Sequence, residues 1–277
     1  MRIKAHAVFF AFFLAIVPAS FAFAFDVYIE TNYRNQPDLS QYGAKNLRMI
    51  YAQNFWSKGQ DRQLLPSKDR VINYVANGYN GIGHKDYTRP LVLDLEHWSL
   101  GGGSDAQVAS RVEKLITVLE WVKSAAPKAK VGYYGTVPTS GYWPTQQPSS
   151  DPRYKSWQTK NDRAQALADR VDAFFPSLYP VSANQAAWVR YAVGAANEAK
   201  RVGNGKPIYI YINPRYHSNA DDGLAFQTVP KDFIALQLKT IKQVGAAGVV
   251  IWGANNAGNQ WNENLPWWQA TKEFLGS

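Results

Sequence analysis

Two acidic residues, Asp94 and Glu96, lie one residue apart in the stretch "LVLDLEHWSL", which otherwise has the composition of a buried strand. Burying a carboxylate is costly unless something compensates its charge. Because successive side chains of a strand alternate between its faces, Asp94 and Glu96 should share one face and the neighbouring leucines the other. Two carboxyl groups at close range resist double ionisation, so such a pair could keep one proton near neutral pH and donate it to a departing oxygen.

Two interpretations of this pair are open. Lysine or arginine side chains from neighbouring strands could neutralise both acids, which would make them structural. Alternatively, the pair could be the acid and base of a glycosidase. The two common glycosidase mechanisms, however, need a second carboxylate across the cleft. Asp172 begins a predicted strand and Glu30, at the end of the first strand, is isolated, so no such partner is evident. An N-acetylated sugar would remove the need: its acetamide attacks its own anomeric carbon, Glu96 acts first as acid and then as base, and Asp94 orients the acetamide.

Short apolar runs of strand type alternate with helical patterns along the chain, which is typical of an α/β fold with a parallel sheet. The clearest helix starts at a capping box of Ser104 and Gln107 and ends before Pro127. The strands are predicted at 25–29, 47–52, 90–96, 130–135, 171–179, 207–212 and 247–252, and the other helices at 67–77, 160–170, 183–202, 230–244 and 263–275.

No glycine-rich nucleotide-binding motif follows the first strand, which favours a TIM-like (β/α) barrel of about seven parallel strands over an open doubly wound sheet. Barrel enzymes act at the carboxyl ends of their strands. Both Glu96 and the Pro-, Ser-, Gly- and Trp-rich segment 136–154 are therefore expected at that end.

The first 24 residues have the pattern of a secretory signal, in which Arg2 and Lys4 precede an apolar run and the small-residue site Ala22-Phe23-Ala24. The run is shorter than the roughly 20 residues of a spanning helix. Cleavage after Ala24 would leave a single domain, residues 25–277, that is secreted or periplasmic and has no membrane span. The chain has no cysteine, so its fold is expected to depend on its core without disulfides.

The formal net charge is +9, and removal of the predicted signal would leave a basic protein that attracts anionic partners. Acidic polysaccharide, nucleic acid and anionic envelope surfaces would all qualify. The basic residues are scattered, so nucleic acid is the weaker choice, and a mildly basic surface with no specific partner is the alternative. The 10 tryptophans and 16 tyrosines fit a sugar binder as well as an ordinary aromatic core. The histidines have no metal-binding spacing, so neither a metal nor another cofactor is predicted.

In these residues the chain resembles the hyaluronidases of animals and venoms. Asp94-Leu95-Glu96-His97-Trp98 matches the family's D-W-E-x-W strand except at Leu95. The resemblance extends over nearly the whole chain after the signal, in the family's order, through "FDVYIETN", "MIYAQNF", "GYYGTVP", "FFPSLYP", "KPIYIYI" and "GAAGVVIWG". The family's disulfides are missing and the loops are shorter.

The resemblance implies a barrel of about seven strands and a retaining, substrate-assisted endo-hydrolysis after N-acetylhexosamine in hyaluronan or chondroitin. It implies that Glu96 is the proton donor and Asp94 the acid that positions the acetamide. By the same resemblance, Tyr179 lies beside the acetamide oxygen and Trp252 forms the floor of its pocket. The remaining substrate contacts that it implies are Tyr51, Trp98 and one of Tyr211 and Tyr216.

Two alternatives to this function are retained. Because a fold does not fix an activity, the chain could be a glycan-binding protein on an inactive hydrolase scaffold. It could also be a glycosidase of peptidoglycan or of a microbial exopolysaccharide, which are N-acetylated too.

Overall fold

The computed structural model describes residues 25–78, 83–221, 223–253 and 259–276, so the predicted signal at 1–24 lies outside the described residues. The described strands are β1 (Asp26–Thr31), β2 (Arg48–Tyr51), β3 (Pro90–Asp94), β4 (Lys130–Tyr133), β5 (Tyr209–Ile212) and β6 (Gly248–Gly253). The described α-helices are α1 (Ala52–Phe55), α2 (Lys68–Asn77), α3 (Asp105–Ala125), α4 (Pro152–Asp162), α5 (Gln165–Arg170), α6 (Gln185–Gly203), α7 (Lys231–Gln243) and α8 (Pro266–Leu275). In this part of the chain no helix has both the length and the apolar character needed to cross a bilayer.

The strands form two parallel sheets of three strands each, in the orders β1-β6-β5 and β2-β3-β4. The prediction of an α/β fold with parallel strands is therefore confirmed. Isolated parallel bridges connect the sheets: Tyr28 pairs with Lys45 just before β2, and Tyr134 pairs with Phe175 just after β4. The described residues thus form two sheets joined by bridges, and not the closed, continuously paired barrel of seven strands that was predicted.

The missing seventh strand is the predicted one at 171–179. Its backbone lies between β4 and β5 and bonds on both sides, since Phe175 pairs with Tyr134 just after β4, while Phe174 pairs with Ile208 just before β5 and Ser177 with Tyr211 on β5. Pro176 lies in the middle of the segment and has no N–H to donate to a ladder. The segment therefore makes single bridges in place of a continuous strand.

The buried residues form two clusters. Leu91, Leu93 and Leu95 belong to the larger cluster, which also contains the buried faces of the helices. Val92 belongs to the smaller cluster, made mainly of strand residues, against which Tyr179 and Trp252 pack. The predicted alternation along β3 is therefore correct, and the face that carries Val92 leads towards Asp94.

Most predicted helices are found within a few residues of their expected bounds. Helix α3 has the predicted capping box, in which the Ser104 hydroxyl accepts from the Gln107 N–H and the Gln107 side chain accepts from the Ser104 N–H. The single helix predicted at 160–170 is instead divided into α4 and α5. Arg163 follows the end of α4, and Ala164, which precedes α5, is fully buried.

A buried polar network fixes the long loop that follows β4. Asn161 of α4 accepts hydrogen bonds from the Thr139 N–H and hydroxyl at 2.9 and 3.0 Å and donates to Glu198 of α6 at 2.9 Å. Glu198 is 1% exposed and also accepts from Arg201. Burial raises the pKa of Glu198, but the hydrogen bonds from Arg201, Gln158 and Asn161 outweigh it and hold the pKa below its ordinary value. The loop is thereby tied to two helices.

We expect Asn161→Ala to lower the free energy of unfolding by about 2–3 kcal/mol, because it leaves the buried Thr139 N–H without a partner and removes one of the two hydrogen bonds to Glu198 Oε1. Denaturant unfolding followed by circular dichroism measures this. Lys155→Ala, an exposed change on the same helix, is the control and should stay within about 0.5 kcal/mol of the wild type. Equal stability of the two variants would contradict the anchoring role of Asn161.

Candidate active site

The ends of the parallel strands bring the predicted site residues to one edge of the molecule. Glu30 at the end of β1 is in register with Trp252 on β6, and Tyr51 at the end of β2 is in register with Asp94 on β3. Because all four strands run in the same direction, their carboxyl ends meet at this edge.

Asp94 and Glu96 meet in one cavity although only the first lies on the strand. β3 ends at Asp94, and Leu95 turns out of the extended conformation at ψ 59°. Glu96 then begins a short 3₁₀ turn, Glu96–Trp98. Both carboxyl side chains line a cavity of about 380 Å³, the central cavity, with walls of Met49, Asp94, Glu96, Tyr134, Tyr179, Asn213, Arg215, Tyr216, His217, Ser218, Phe226, Trp252, Gly253 and Asn259.

Among the residues that the structure describes, the two acids have no neutralising partner. None of the ion pairs among the described residues includes Asp94 or Glu96. Burial, and then the nearby Glu96 carboxyl, raises the pKa of Asp94 to about 6. Asp94 is partly buried and Glu96 is exposed, so Glu96 is the acid that faces an incoming molecule. The structural interpretation, in which basic side chains neutralise the pair, therefore does not hold.

Stacked aromatic rings form one wall of the central cavity. Tyr179 and Trp252 stack with their ring centroids 6.0 Å apart and their planes 12° from parallel. The Trp252 indole N–H donates to the Tyr51 hydroxyl at 3.2 Å, which fixes the indole. Tyr134, whose hydroxyl is 2.9 Å from the Ser177 hydroxyl, adds a third ring 6.1 Å from Tyr179. Such a wall offers a flat apolar surface beside two carboxyl groups.

Two further cavities adjoin the central one. The loop cavity, about 640 Å³, shares Glu96, Tyr134, Tyr179 and His217 with it and extends to Trp143 on the loop after β4. The edge cavity, about 440 Å³, shares Trp252 with it and is also lined by Glu30, Thr31, Asn32 and Tyr51. The three cavities together cross the carboxyl ends of the strands, with the acids in the middle.

The remaining predicted contacts are distributed over these cavities. Tyr216 lines the central cavity, whereas Tyr211 is fully buried beneath it, 4.9 Å from the Tyr134 ring, and lines none of the three. Tyr51 lines the edge cavity. Trp98 borders the loop cavity but is only 1% exposed, because it packs edge-on against Trp56 at 5.4 Å. Of the two tyrosines left open by the sequence, the structure places Tyr216 at the cavity wall.

Several wall residues were not found from the sequence. Tyr134 directly follows β4, so its position after a predicted strand was an available signal. Arg215, whose guanidinium donates to the Asn259 side chain at 3.0 Å, comes from a segment without periodicity. His217 accepts from the Asn219 N–H through Nδ1 and also lines the wall. Only the assembled fold shows that these loop residues face the acids.

Glu30 is a third carboxyl group at this site. Its Oε2 atom is buried and makes no hydrogen bond with the described residues. Burial, and then the Asp94 carboxyl, raises the pKa of Glu30 to about 8, so this side chain is mostly protonated at neutral pH. The Tyr211 hydroxyl is likewise buried without a partner, and burial together with the Glu30 charge raises its pKa. The carboxyl that looked isolated in the sequence is thus electrostatically coupled to the predicted pair.

Within the described ranges, no group of three or more histidine or acidic side chains is placed to hold a metal ion. The chemistry of the central cavity therefore has to be derived from its carboxyl, hydroxyl, indole and guanidinium groups.

Comparison with known proteins shows which proteins share the fold of this chain. No protein-family model and no curated protein matches the sequence. The structure is similar to bee venom hyaluronidase, with a TM-score of 0.63, 16% identity and coverage of 91% of this chain and 97% of that one. It is also similar to the complex of bee venom hyaluronidase with a hyaluronic acid tetramer (TM-score 0.59, 15% identity, 91% and 95% coverage). A glucosidase from Croceicoccus marinus has a TM-score of 0.52 at 13% identity, over 85% of this chain and 51% of that one. At these identities the similarity establishes a fold shared with glycoside hydrolases.

We expect the stability of the protein to fall between about pH 5 and pH 8, in part because of Glu30. Its raised pKa means that the folded state holds a proton that the unfolded state releases, so stability is lost as the pH rises above the unfolded pKa. Glu30→Gln removes this proton and should flatten that part of the curve of melting temperature against pH. Glu113→Gln, at an exposed glutamate on α3, is the control and should leave the curve as in the wild type. Parallel curves for wild type and Glu30→Gln would show that Glu30 is ionised in the folded protein.

Proposed function

We propose that this protein is an exported endo-glycoside hydrolase that cleaves β-linked N-acetylhexosamine-containing polysaccharide with retention, by a substrate-assisted mechanism of the hyaluronidase type. The observation that carries the proposal is that Asp94 and Glu96 line one open cavity beside the stacked Tyr179 and Trp252 rings, and that no described side chain forms an ion pair with either acid. The shared fold with glycoside hydrolases and the ordered sequence resemblance support it.

In the first step, the Glu96 carboxyl donates its proton to the glycosidic oxygen and the bond from that oxygen to the anomeric carbon breaks. The carbonyl oxygen of the substrate's own acetamide forms the new bond to the anomeric carbon, which gives a cyclic cation. Asp94, ionised at neutral pH, accepts a hydrogen bond from the acetamide N–H and stabilises the positive charge. The Trp252 ring provides the floor under the acetamide, and the Tyr179 hydroxyl orients it.

In the second step, the Glu96 carboxylate takes a proton from a water molecule. The water oxygen attacks the anomeric carbon from the side that the leaving group vacated, and the bond to the acetamide oxygen breaks. Two inversions give net retention, and Glu96 ends the cycle protonated. The substrate's acetamide is the nucleophile, so no further carboxylate of the protein is required in the central cavity. This fits the position of Glu30, which lines the edge cavity and not the central one.

The proposed substrate is an anionic, N-acetylated polysaccharide of the hyaluronan or chondroitin kind. Arg215 on the wall of the central cavity and the net charge of +9 both favour an anion. The similar bee venom enzyme is known in complex with a hyaluronic acid tetramer, which supports the same class. Peptidoglycan and microbial exopolysaccharides are alternatives that differ in the groups around the same N-acetyl unit.

We expect Glu96→Gln to reduce kcat on the cleaved polysaccharide by at least about 10²-fold, because the amide can neither donate nor accept the proton. Reducing ends released from hyaluronan, chondroitin and chitin oligomers measure this. Glu113→Gln, the same change at an exposed site, should retain full activity. Cleavage by Glu96→Gln at the wild-type rate would refute the proposal, and glycan binding without any turnover by the wild type would identify a binding protein.

We expect kcat/KM to fall as the pH drops below about 6, because protonated Asp94 loses the charge that stabilises the acetamide cation. Asp94→Asn should have lower activity at every pH and should lack this acidic limb. The control is Asp86→Asn, at an exposed aspartate that pairs with Lys128 away from the cavities. An unchanged acidic limb in Asp94→Asn would assign that limb to another group.

A further inference from the structure

Two exposed aromatic rings line the cavities to which the two acids contribute. Among the described residues, the tryptophan and phenylalanine side chains with exposed rings are Trp143, which is 72% exposed, and Phe226, which is 63% exposed. Trp143 lines the loop cavity and Phe226 the central cavity. Single exposed hydrophobic residues are common on protein surfaces, but the remaining exposed ones, Leu64, Leu65 and Val193, line none of these cavities.

Trp143 is held by a rigid support. Its ring packs edge-on against Tyr142 at 5.1 Å, and Tyr142 packs in the same way against Tyr191 of α6 at 5.4 Å. The Gln146 side chain donates to the backbone carbonyls of Tyr142 and Ala187, which ties the loop to the same helix. The fold therefore fixes this ring in an exposed position.

Phe226 is held in an unfavourable backbone conformation. Its φ of 62° lies in the left-handed region, which is a rare and strained conformation for a bulky residue. The hydrogen bonds from the Phe226 N–H to the Tyr216 carbonyl and from the Tyr216 N–H to the Gln227 carbonyl maintain this conformation. A strained backbone that exposes an apolar ring to water does not stabilise the free protein. It therefore points to a ligand that covers the ring.

The cavity walls also orient the substrate. Asp94 lines the central cavity alone, whereas Glu96 lines both the central and the loop cavity. The sugar whose acetamide meets Asp94 therefore lies in the central cavity. The sugar that leaves with the proton of Glu96 lies on the other side of Glu96, in the loop cavity. One glycan chain placed in this way passes both exposed rings.

We propose that Trp143 and Phe226 are sugar-stacking residues of one glycan-binding cleft, in which Trp143 holds a unit on the leaving-group side and Phe226 a unit on the acetamide side. This inference rests on the proposed function for the direction of the chain. The apolar face of a pyranose ring covers each aromatic ring, and the sugar hydroxyl groups remain in water. The substrate class is accordingly a polymer with units on both sides of the cleaved bond, and short fragments bind without one of the two contacts.

The test compares Trp143→Ala and Phe226→Asn with Trp143→Phe and Phe226→Tyr, which keep a ring. Asparagine tolerates the left-handed conformation, so Phe226→Asn should fold with an equal or higher melting temperature. Leu64→Ala, an exposed apolar change outside the cleft, is the common control. KM and kcat are measured on polymers and on tetrasaccharides of hyaluronan, chondroitin and chitin, and hexasaccharide binding is measured by calorimetry in the Glu96→Gln background.

We expect each ring deletion to raise KM on the polymer and to weaken hexasaccharide binding by about tenfold, with kcat and the tetrasaccharide KM changed much less. The ring-retaining variants and Leu64→Ala should resemble the wild type. Polymer turnover with an unchanged KM in both ring deletions would overturn the inference and leave the proposed function intact. If the wild type binds glycans in a ring-dependent way but does not cleave them, the inference is supported and the proposed hydrolysis is refuted. If the wild type neither binds nor cleaves them, both are refuted.

Discussion

The repulsion between carboxyl groups that share a desolvated site is the constraint on which this structure depends. Glu30, Asp94 and Glu96 lie at the carboxyl ends of β1 and β3, and no ion pair among the described residues neutralises any of them. Burial raises the pKa of Glu30 to about 8 and that of Asp94 to about 6, with a smaller contribution from a neighbouring carboxyl group in each case. At neutral pH Asp94 is therefore mostly ionised, while Glu30 remains mostly protonated.

The aromatic wall complements this arrangement. The Tyr179 and Trp252 rings are stacked, and the Tyr51 hydroxyl fixes the indole. Apolar rings beside the acids lower the local dielectric constant, which strengthens both the repulsion between the carboxyl groups and the attraction of Asp94 for a developing cation. The loop that carries Trp143 is held separately, through Asn161 and Glu198, so the binding surface and the acids are supported by different parts of the core.

Much of the local structure could be predicted from the sequence, because periodicity reports which face of an element is buried. The alternation along β3 correctly separated the leucines from Asp94, whereas Glu96 lies beyond the strand, and the capping box correctly placed the start of α3. The 171–179 segment was wrong as a strand, because its apolar residues suggested continuous pairing while Pro176 interrupts it. Arg215 and Asn259 lie in irregular segments, where no period relates neighbouring residues to a face. The role of Glu30 depends on its electrostatic coupling to Asp94 on another strand, and the position of Glu30 at the end of the first predicted strand gave no sign of that coupling.

The residues at the floor of the site come from strands that are far apart in the sequence, so the ribosome makes them at different times. The Trp252 indole reaches the Tyr51 hydroxyl across 201 positions of sequence, and Glu30 is in register with Trp252. A ribosome therefore releases the first strand long before its partner exists, and the floor beside the acids is assembled only when the last strand arrives. Such non-local pairing is slow to form, which leaves the nascent polypeptide for a time without a finished cavity floor. Synthesis of the chain and assembly of this floor are consequently separated in time.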